Sequence, residues 1–410
     1  MTALTSRRRW QTVMALGAGV VAAIAAPTLL YVGAKAISNS TAGKNALAGV
    51  LPEQNFPQTP TAMLATVSDT NELTSVTVFV LAPDADTTPA GYDQRGGSIV
   101  SVPIDADTGS GEQLRSLHDA YALGGENELR VDLESAINLT IDFSAVMSRD
   151  QFAVFLAGVP AAQVTLPREV LGIDDLPLYA QGTAALSTIQ MAQILTTKSP
   201  TEPERLRRPN IDAVWAGIAA AVGSGLQGQT LSAAAPTTFA EMATRLLAGP
   251  AASRGLLAQP LEADRNPEGL DIEALDRPDT ILVFASIAPA SMSRPAAGLS
   301  FRVEAPPGYD QQVRKTIGVL LSFGGNVVSV DLNAEPTAET TFLIYDPTLA
   351  AAEPTDHAVF GTITIETPDV RLGGVDETIR LGTDYLDQVD LLAPDATSTS
   401  SSVEPTETTG

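Results

Sequence analysis

Residues 117–159 read LHDAYALGGENELRVDLESAINLTIDFSAVMSRDQFAVFLAGV. Apolar positions recur at helical spacing over 113–123 and again over 128–138. Gly124-Gly125 stands between them, a sensible C-cap and turn. IDFSAVM, 141–147, then reads as a strand, and Arg149 to Gly158 as a helix. A helix, a strand and a helix in close succession define an α/β chain. The pattern extends on both sides. Val76 to Leu81 (VTVFVL) is a β-branched run closed by Ala-Pro-Asp, and Ile99 to Val102 is a second strand closed by Pro103. Residues 186–195 read as a helix, 196–210 as a polar loop rich in proline and arginine, and 211–222 as an apolar helix. Over 223–280, rich in Ala, Gly, Pro and Ser, the pattern predicts one helix near 237–247 and long connections. A second α/β unit begins near 281: ILVFASI and LSFRVEA read as strands, Tyr309 to Phe323 as a helix ended by Gly324-Gly325, and NVVSVDL and TTFLIYD as strands.

The chain has 410 residues, 44% of them hydrophobic, enough for two domains with sizeable cores. It has no cysteine and two histidines, His118 and His357, which excludes disulfides and thiol chemistry. The formal net charge of -24 argues against nucleic acid as a partner, since phosphate is gripped by Lys and Arg. Lysine is confined to Lys35, Lys44, Lys198 and Lys315, so positive charge is carried chiefly by arginine.

Arg7, Arg8 and Arg9 precede an uncharged stretch, Trp10 to Ala34, long enough to span a bilayer. The arginines predict a cytoplasmic N-terminus and everything after Lys35 outside. A cleaved signal peptide, read at Ala23-Ile24-Ala25, is the alternative. The expected organisation is a cytoplasmic arm (1–9), a transmembrane anchor (10–34), a tether (35–60), an α/β domain (61–292), a smaller α/β domain (298–388) and a low-complexity tail (393–410).

Ala120, Tyr121, Gly124, Gly125, Ile141, Asp142, Phe143, Phe152 and Gly158-Val159 occur in the order and approximate spacing of the LytR–CpsA–Psr family of cell-envelope proteins, which the chain resembles over most of 60–388. The resemblance implies an α/β/α domain around a central mixed sheet, with a smaller C-terminal domain of the kind many members add. It also implies a phosphotransferase ancestry, in which a glycopolymer moves from a polyprenyl-pyrophosphate lipid carrier onto peptidoglycan. Magnesium and several arginines neutralise the pyrophosphate there, and an apolar interior holds the polyprenyl chain. Guanidinium forks and a metal suit two adjacent phosphates.

This chain departs from that pattern. Glu72, Leu73, Thr74 and Ser75 stand where the family has Arg-Ser-Asp-Thr, and Pro103-Ile104-Asp105 where it has Pro-Arg-Asp. Ser116-Leu117-His118 replaces a Lys-Ile-Asn segment, and Thr196-Thr197-Lys198 an Arg-x-Arg. An Arg-x-x-Arg element persists as Arg205 and Arg208, with Arg207 between. Asp105 is the candidate catalytic and magnesium-binding residue, with turn capping as its ordinary alternative. Lys198, Arg205, Arg207 and Arg208 are the candidate phosphate or polymer ligands, with a solvated basic loop as theirs. His118 reads as structural, His357 as exposed, and Phe152 and Trp215 as core. Asn138-Leu139-Thr140 is a glycosylation sequon too common to carry weight. The expectation is a membrane-anchored extracellular protein that binds lipid carrier, wall glycopolymer or peptidoglycan with catalysis weak or absent. An active ligase with a rewired, magnesium-dependent site and a purely structural envelope spacer are the alternatives.

Overall fold

The computed structural model describes residues 52–83, 94–109, 113–232, 234–293, 298–346 and 357–389. The expected arm, membrane anchor, most of the tether and the tail lie outside these residues. Among the described residues no helix is long and apolar enough to cross a membrane. Residues 52–54 form a small unit with 368–371, in which the Arg371 amide donates to the Pro52 carbonyl at 3.0 Å. All other described residues belong to one larger unit.

Strands β1 (Thr61–Val67), β2 (Leu73–Leu81) and β3 (Gly97–Val102) come first. All nine residues of β2 are buried, as its apolar run requires. Helix α1 spans Leu117–Ile137, opened by a reciprocal cap: Ser116 Oγ accepts from the Asp119 amide and Asp119 accepts from the Ser116 amide. The expected pair of helices is therefore one element. Gly124-Gly125 does not end it but kinks it, with Gly125 at φ 66° and ψ -147°. Strand β4 (Phe143–Met147) and helix α2 (Arg149–Phe155) follow, then the antiparallel hairpin β5 (Ala162–Leu166) and β6 (Gly182–Leu186), and helix α3 (Thr188–Thr196).

The segment expected to be a polar loop over 196–210 is half helix. Helix α4 runs Glu204–Val222. Pro200 and Pro203 lie before its first turn, where a missing N–H costs nothing, and the helix carries Pro209 within it. Helix α5 spans Phe239–Leu247, close to expectation. Strand β7 (Ala251–Gly255) lies in what the sequence presented as connection, because AASRG has no β-branched residue to mark it. A short hairpin, β8 (Ala258–Pro260) with β9 (Glu273–Leu275), leads to helix α6 (Arg277–Ile287).

Helix α6 corrects a second expectation, since ILVFASI is helix rather than strand. A short apolar run buried on all sides has no periodicity to separate the two. The cap decides it: the Asp276 side chain accepts from the Asp279 amide at 2.8 Å, with Pro278 in the first turn. Beyond it come β10 (Ser300–Glu304), α7 (Asp310–Ser322), β11 (Asn326–Asp331), β12 (Thr340–Ile344), β13 (Ile363–Glu366) and β14 (Glu377–Arg380).

The first sheet has strand order β7-β3-β2-β1-β4. Only β2 runs antiparallel to its neighbours, so the carboxyl ends of the other four strands and the start of β2 share one edge. The second sheet has order β11-β10-β14-β12-β13, with β14 and β12 antiparallel and the other pairs parallel. Both are mixed sheets with helices, in agreement with the expected α/β class. One apolar cluster joins Met63, Val78 and Leu133 of the first sheet's side to Phe284, Phe301 and Ile317 of the second. Helix α6 thus shares a core with the second sheet, although it precedes the boundary expected at 292. His357 is half-buried, not simply exposed: its ring centre lies 4.4 Å from that of Phe342.

Candidate functional site

The shared edge of the first sheet carries the polar chemistry, as crevices at strand ends do in α/β folds. The loop after β3 is pinned on two sides. The His118 amide donates to the Ile104 carbonyl at 2.9 Å, and the Glu273 amide to the Asp105 carbonyl at 3.0 Å. These contacts fix the directions of two neighbouring side chains. Ile104 is 1% exposed and belongs to the apolar core. Asp105, the candidate metal and catalytic residue, is 4% exposed, and neither of its carboxylate oxygens has a hydrogen-bond partner. Burial, with the negative charges of Glu204 and Glu273 nearby, pushes its pKa from 3.8 up to about 7, against the pull of Arg208.

Helix α4 brings the arginines to this edge. Each meets a carboxylate of the same chain. Arg207 is buried, and its guanidinium donates to Glu204 at 2.9 Å, to the Thr197 carbonyl at 3.2 Å and to the Thr74 carbonyl. Arg208 donates to Glu273 at 2.7 Å. Arg205 is half exposed, 3.5 Å from Asp271. Four residues beyond Arg208, Asp212 accepts a hydrogen bond from Ser101, and burial raises its pKa. A Cβ on Gly255, at the end of β7, would lie 2.5 Å from the Asp212 carboxylate and would push that side chain aside. The cluster therefore holds five carboxylates (Asp105, Glu204, Asp212, Asp271, Glu273) against three guanidiniums.

Lys198 stands apart from this network. It is half-buried, makes no ion pair among the described residues, and faces His118 closely enough to add to the burial that lowers the histidine pKa. Thr74 and Thr196, where the resemblance leads one to look for ligands, are buried and spent on the chain itself. Thr74 Oγ1 donates to the Thr66 carbonyl at 2.9 Å, and Thr196 Oγ1 to the Ala192 carbonyl at 2.8 Å. Glu72 is exposed. Phe152 and Trp215 are core residues as expected. With Phe79, Phe155 and Phe239 they form a ring cluster against the face of the first sheet, neighbouring centroids 5.6 to 6.4 Å apart.

Sequence reasoning missed Glu204, Asp212, Asp271, Glu273 and Ser101. The signal for two of them is the spacing of Glu204, Arg208 and Asp212, four apart on one helix face, but it is readable only once the helix is known to begin at 204. The magnesium expectation meets a poor donor set. Among the described residues no group of three or more His, Asp or Glu stands together to hold a metal ion. Asp105 offers two oxygens, while Glu204 and Glu273 are committed to arginines. What the described residues offer a cation here is thus one unpartnered carboxylate, Asp105.

The architecture is thus a mixed α/β fold with an acidic, arginine-bridged cluster at the carboxyl edge of its first sheet. Among solved structures it is similar to a LytR-Csp2A-Psr enzyme from Actinomyces oris, at 13% identity over 55% of this chain and 92% of that one, with a TM-score of 0.32. It is similar also to the LytR-CPS2A-psr family protein YwtF (TagT) with bound octaprenyl pyrophosphate lipid, at 13% identity, 54% and 86% coverage and a TM-score of 0.36. A third is the Lin1025 protein from Listeria innocua, at 16% identity, 53% and 91% coverage and a TM-score of 0.31. No protein-family model and no curated protein matches the chain.

Proposed function

We propose that this chain is a membrane-anchored, extracellular cell-envelope protein on the LytR–CpsA–Psr plan. It binds wall glycopolymer, its polyprenyl-phosphate carrier or peptidoglycan, and it does not carry out the transfer. The motif order over 117–159 supports the family reading. The observation that carries the loss of transfer is the internal neutralisation of all three arginines by Glu204, Asp271 and Glu273. A pyrophosphate reaching Arg207 would have to strip Glu204 from a buried pair, and uncoupling such a pair costs about 3–5 kcal/mol. One charge-assisted contact returns about 1.5–3 kcal/mol. The remaining carboxylates would repel the incoming anion.

The test is a transfer assay on the full chain with magnesium and a lipid-pyrophosphate glycopolymer donor, beside an active family member. Lipids co-purifying from membranes are identified in parallel by mass spectrometry. Retained polyprenyl phosphate or bound glycopolymer without transfer is the expected result. Transfer that collapses on Arg205→Ala would instead establish a rewired ligase. Failure to retain lipid, glycopolymer or peptidoglycan would leave a structural spacer.

A further inference from the structure

The outer strands of the first sheet are β7 and β4, and those of the second are β11 and β13. An outer strand presents unpaired N–H and C=O groups to any extended chain that meets it. Folded proteins guard such edges with charged side chains, proline or a bulge. Strand β7 carries Arg254, β11 carries Asp331 and β13 carries Glu366. Strand β4, Phe143–Met147, has no charged residue and no proline, and its register against β1 runs without a shift.

Two features define this unguarded edge. The first is its hydrogen-bonding potential. The Asp142 amide donates to the Thr61 carbonyl at 3.1 Å, so alternation along the strand turns the N–H and C=O groups of Phe143, Ala145 and Met147 away from β1. Among the described residues those groups have no backbone partner. All five residues of β4 are half-buried, whereas every residue of β1 and β2 is buried. The second feature is charge. A cleft of about 530 Å³ opens at the start of the strand, with Asp142 the one charged residue in its lining. The Thr61 amide and hydroxyl hold Asp142 Oδ2 at 2.9 and 3.3 Å, and among the described residues Oδ1 is left for another donor. Pro60 and Phe143, both half-buried in the same lining, offer apolar surface to the stem of a long basic side chain. Farther along, Ser144 Oγ donates to Glu126 at 2.5 Å, and Arg149, beyond the strand end, is met by Asp69 at 3.3 Å. The edge is therefore acidic, in a chain of net charge -24, which disfavours a second copy and favours a basic partner.

We propose that β4 accepts an extended basic segment of a partner protein as a further strand of the first sheet, with one lysine or arginine of that segment seated at Asp142. Added strands of this kind gain affinity from main-chain hydrogen bonds and specificity from pockets for alternate side chains. The cleft lies at the opposite end of β4 from the carboxyl edge that carries the α4 arginines. Pairing there does not depend on whether the chain transfers a glycopolymer.

The experiment is calorimetric titration of the full chain with the peptide acetyl-Lys-Thr-Val-Lys-Val-Thr-amide. Binding is expected, and a copy with both lysines changed to glutamate should bind at least about tenfold more weakly. Two further copies are N-methylated at alternate residues, one in each phase. One phase removes the donors that face β4 and should abolish binding, while the other should spare it. Hydrogen exchange over 143–147 should slow when the peptide is bound. Ala145→Pro deletes an outward N–H that the fold does not use, so peptide binding should be lost while the unfolding curve stays that of wild type. Asp142→Asn keeps an acceptor for the Thr61 amide and should weaken binding about two- to fivefold, the size of an exposed ion pair. The proposal is overturned by no binding, by equal binding of the glutamate copy, by equal binding of the two N-methylated copies, by unchanged exchange over 143–147, or by unchanged affinity in a folded Ala145→Pro chain. Self-association of the full chain that Ala145→Pro abolishes would make a second copy the occupant and overturn it too. Should Ala145→Pro fail to fold, the paired N-methylated peptides decide the matter on the wild-type chain.

Discussion

Replacing Asp105 by Asn should change how stability depends on pH. The Asp105 carboxyl is buried, unpartnered and close to Glu204 and Glu273, and its pKa stands at about 7 against an ordinary 3.8. The folded chain therefore holds a proton between these values that the unfolded chain has released. The stability contributed by that proton is fully present below about pH 4, falls as pH rises, and is lost as pH passes through about 7. A shift of about 3 units at 1.36 kcal/mol per unit is on the order of 4 kcal/mol. Asparagine keeps the shape and cannot ionise. The measurement is urea unfolding followed by tryptophan fluorescence from pH 4 to 8.5, for wild type and Asp105→Asn. Asp212 titrates in the same direction but is present in both proteins, so the difference between the curves isolates Asp105. That difference should grow in favour of the variant by a few kcal/mol between pH 4 and 8 and then level off. Parallel curves, or a variant less stable than wild type at pH 8, would refute the assignment of a buried, proton-holding carboxyl.

Three further outcomes follow from the same geometry. Arg207→Ala leaves Glu204 buried without its partner and should cost about 3–5 kcal/mol in urea unfolding. A wild-type midpoint combined with lost phosphate binding would show that Arg207 is a ligand and not a strut. Ile104→Arg restores the residue the family pattern leads one to look for, yet position 104 lies in the apolar core, so the variant should be destabilised by several kcal/mol rather than activated. Gain of pyrophosphate binding in a fully stable Ile104→Arg protein would contradict this. Gly125→Ala should cost about 1–3 kcal/mol, because φ 66° with ψ -147° is a backbone region that essentially only glycine enters, while beyond its own helix a Cβ there meets no atom within 4 Å. A loss several times larger would mean the kink does more than turn the helix.

Much of the fold was legible along the chain. The β-branched run at 76–81, the strand ended by Pro103 and the helix at 310–322 stand where composition and periodicity place them. The failures share a cause. AASRG becomes β7 only because β3 offers it a parallel edge, and ILVFASI becomes helix because both of its neighbours bury it. The candidate site was half legible. Arg205, Arg207 and Arg208 could be picked out because positive charge is scarce, and they do meet at the strand ends beside Asp105.

What those arginines do was not readable from their spacing. Arg208 meets a carboxylate 65 residues away, and Arg207 meets a carbonyl 133 residues away. Sequence alone determined which segments are apolar enough to fold, where prolines and glycines punctuate them, and which charges are rare. The tertiary structure decided which charges face each other and how deeply they are buried. The strength of an ion pair and the state of a buried carboxyl depend on distance and on the removal of water. Both are properties of the packed molecule, not of the order of its residues.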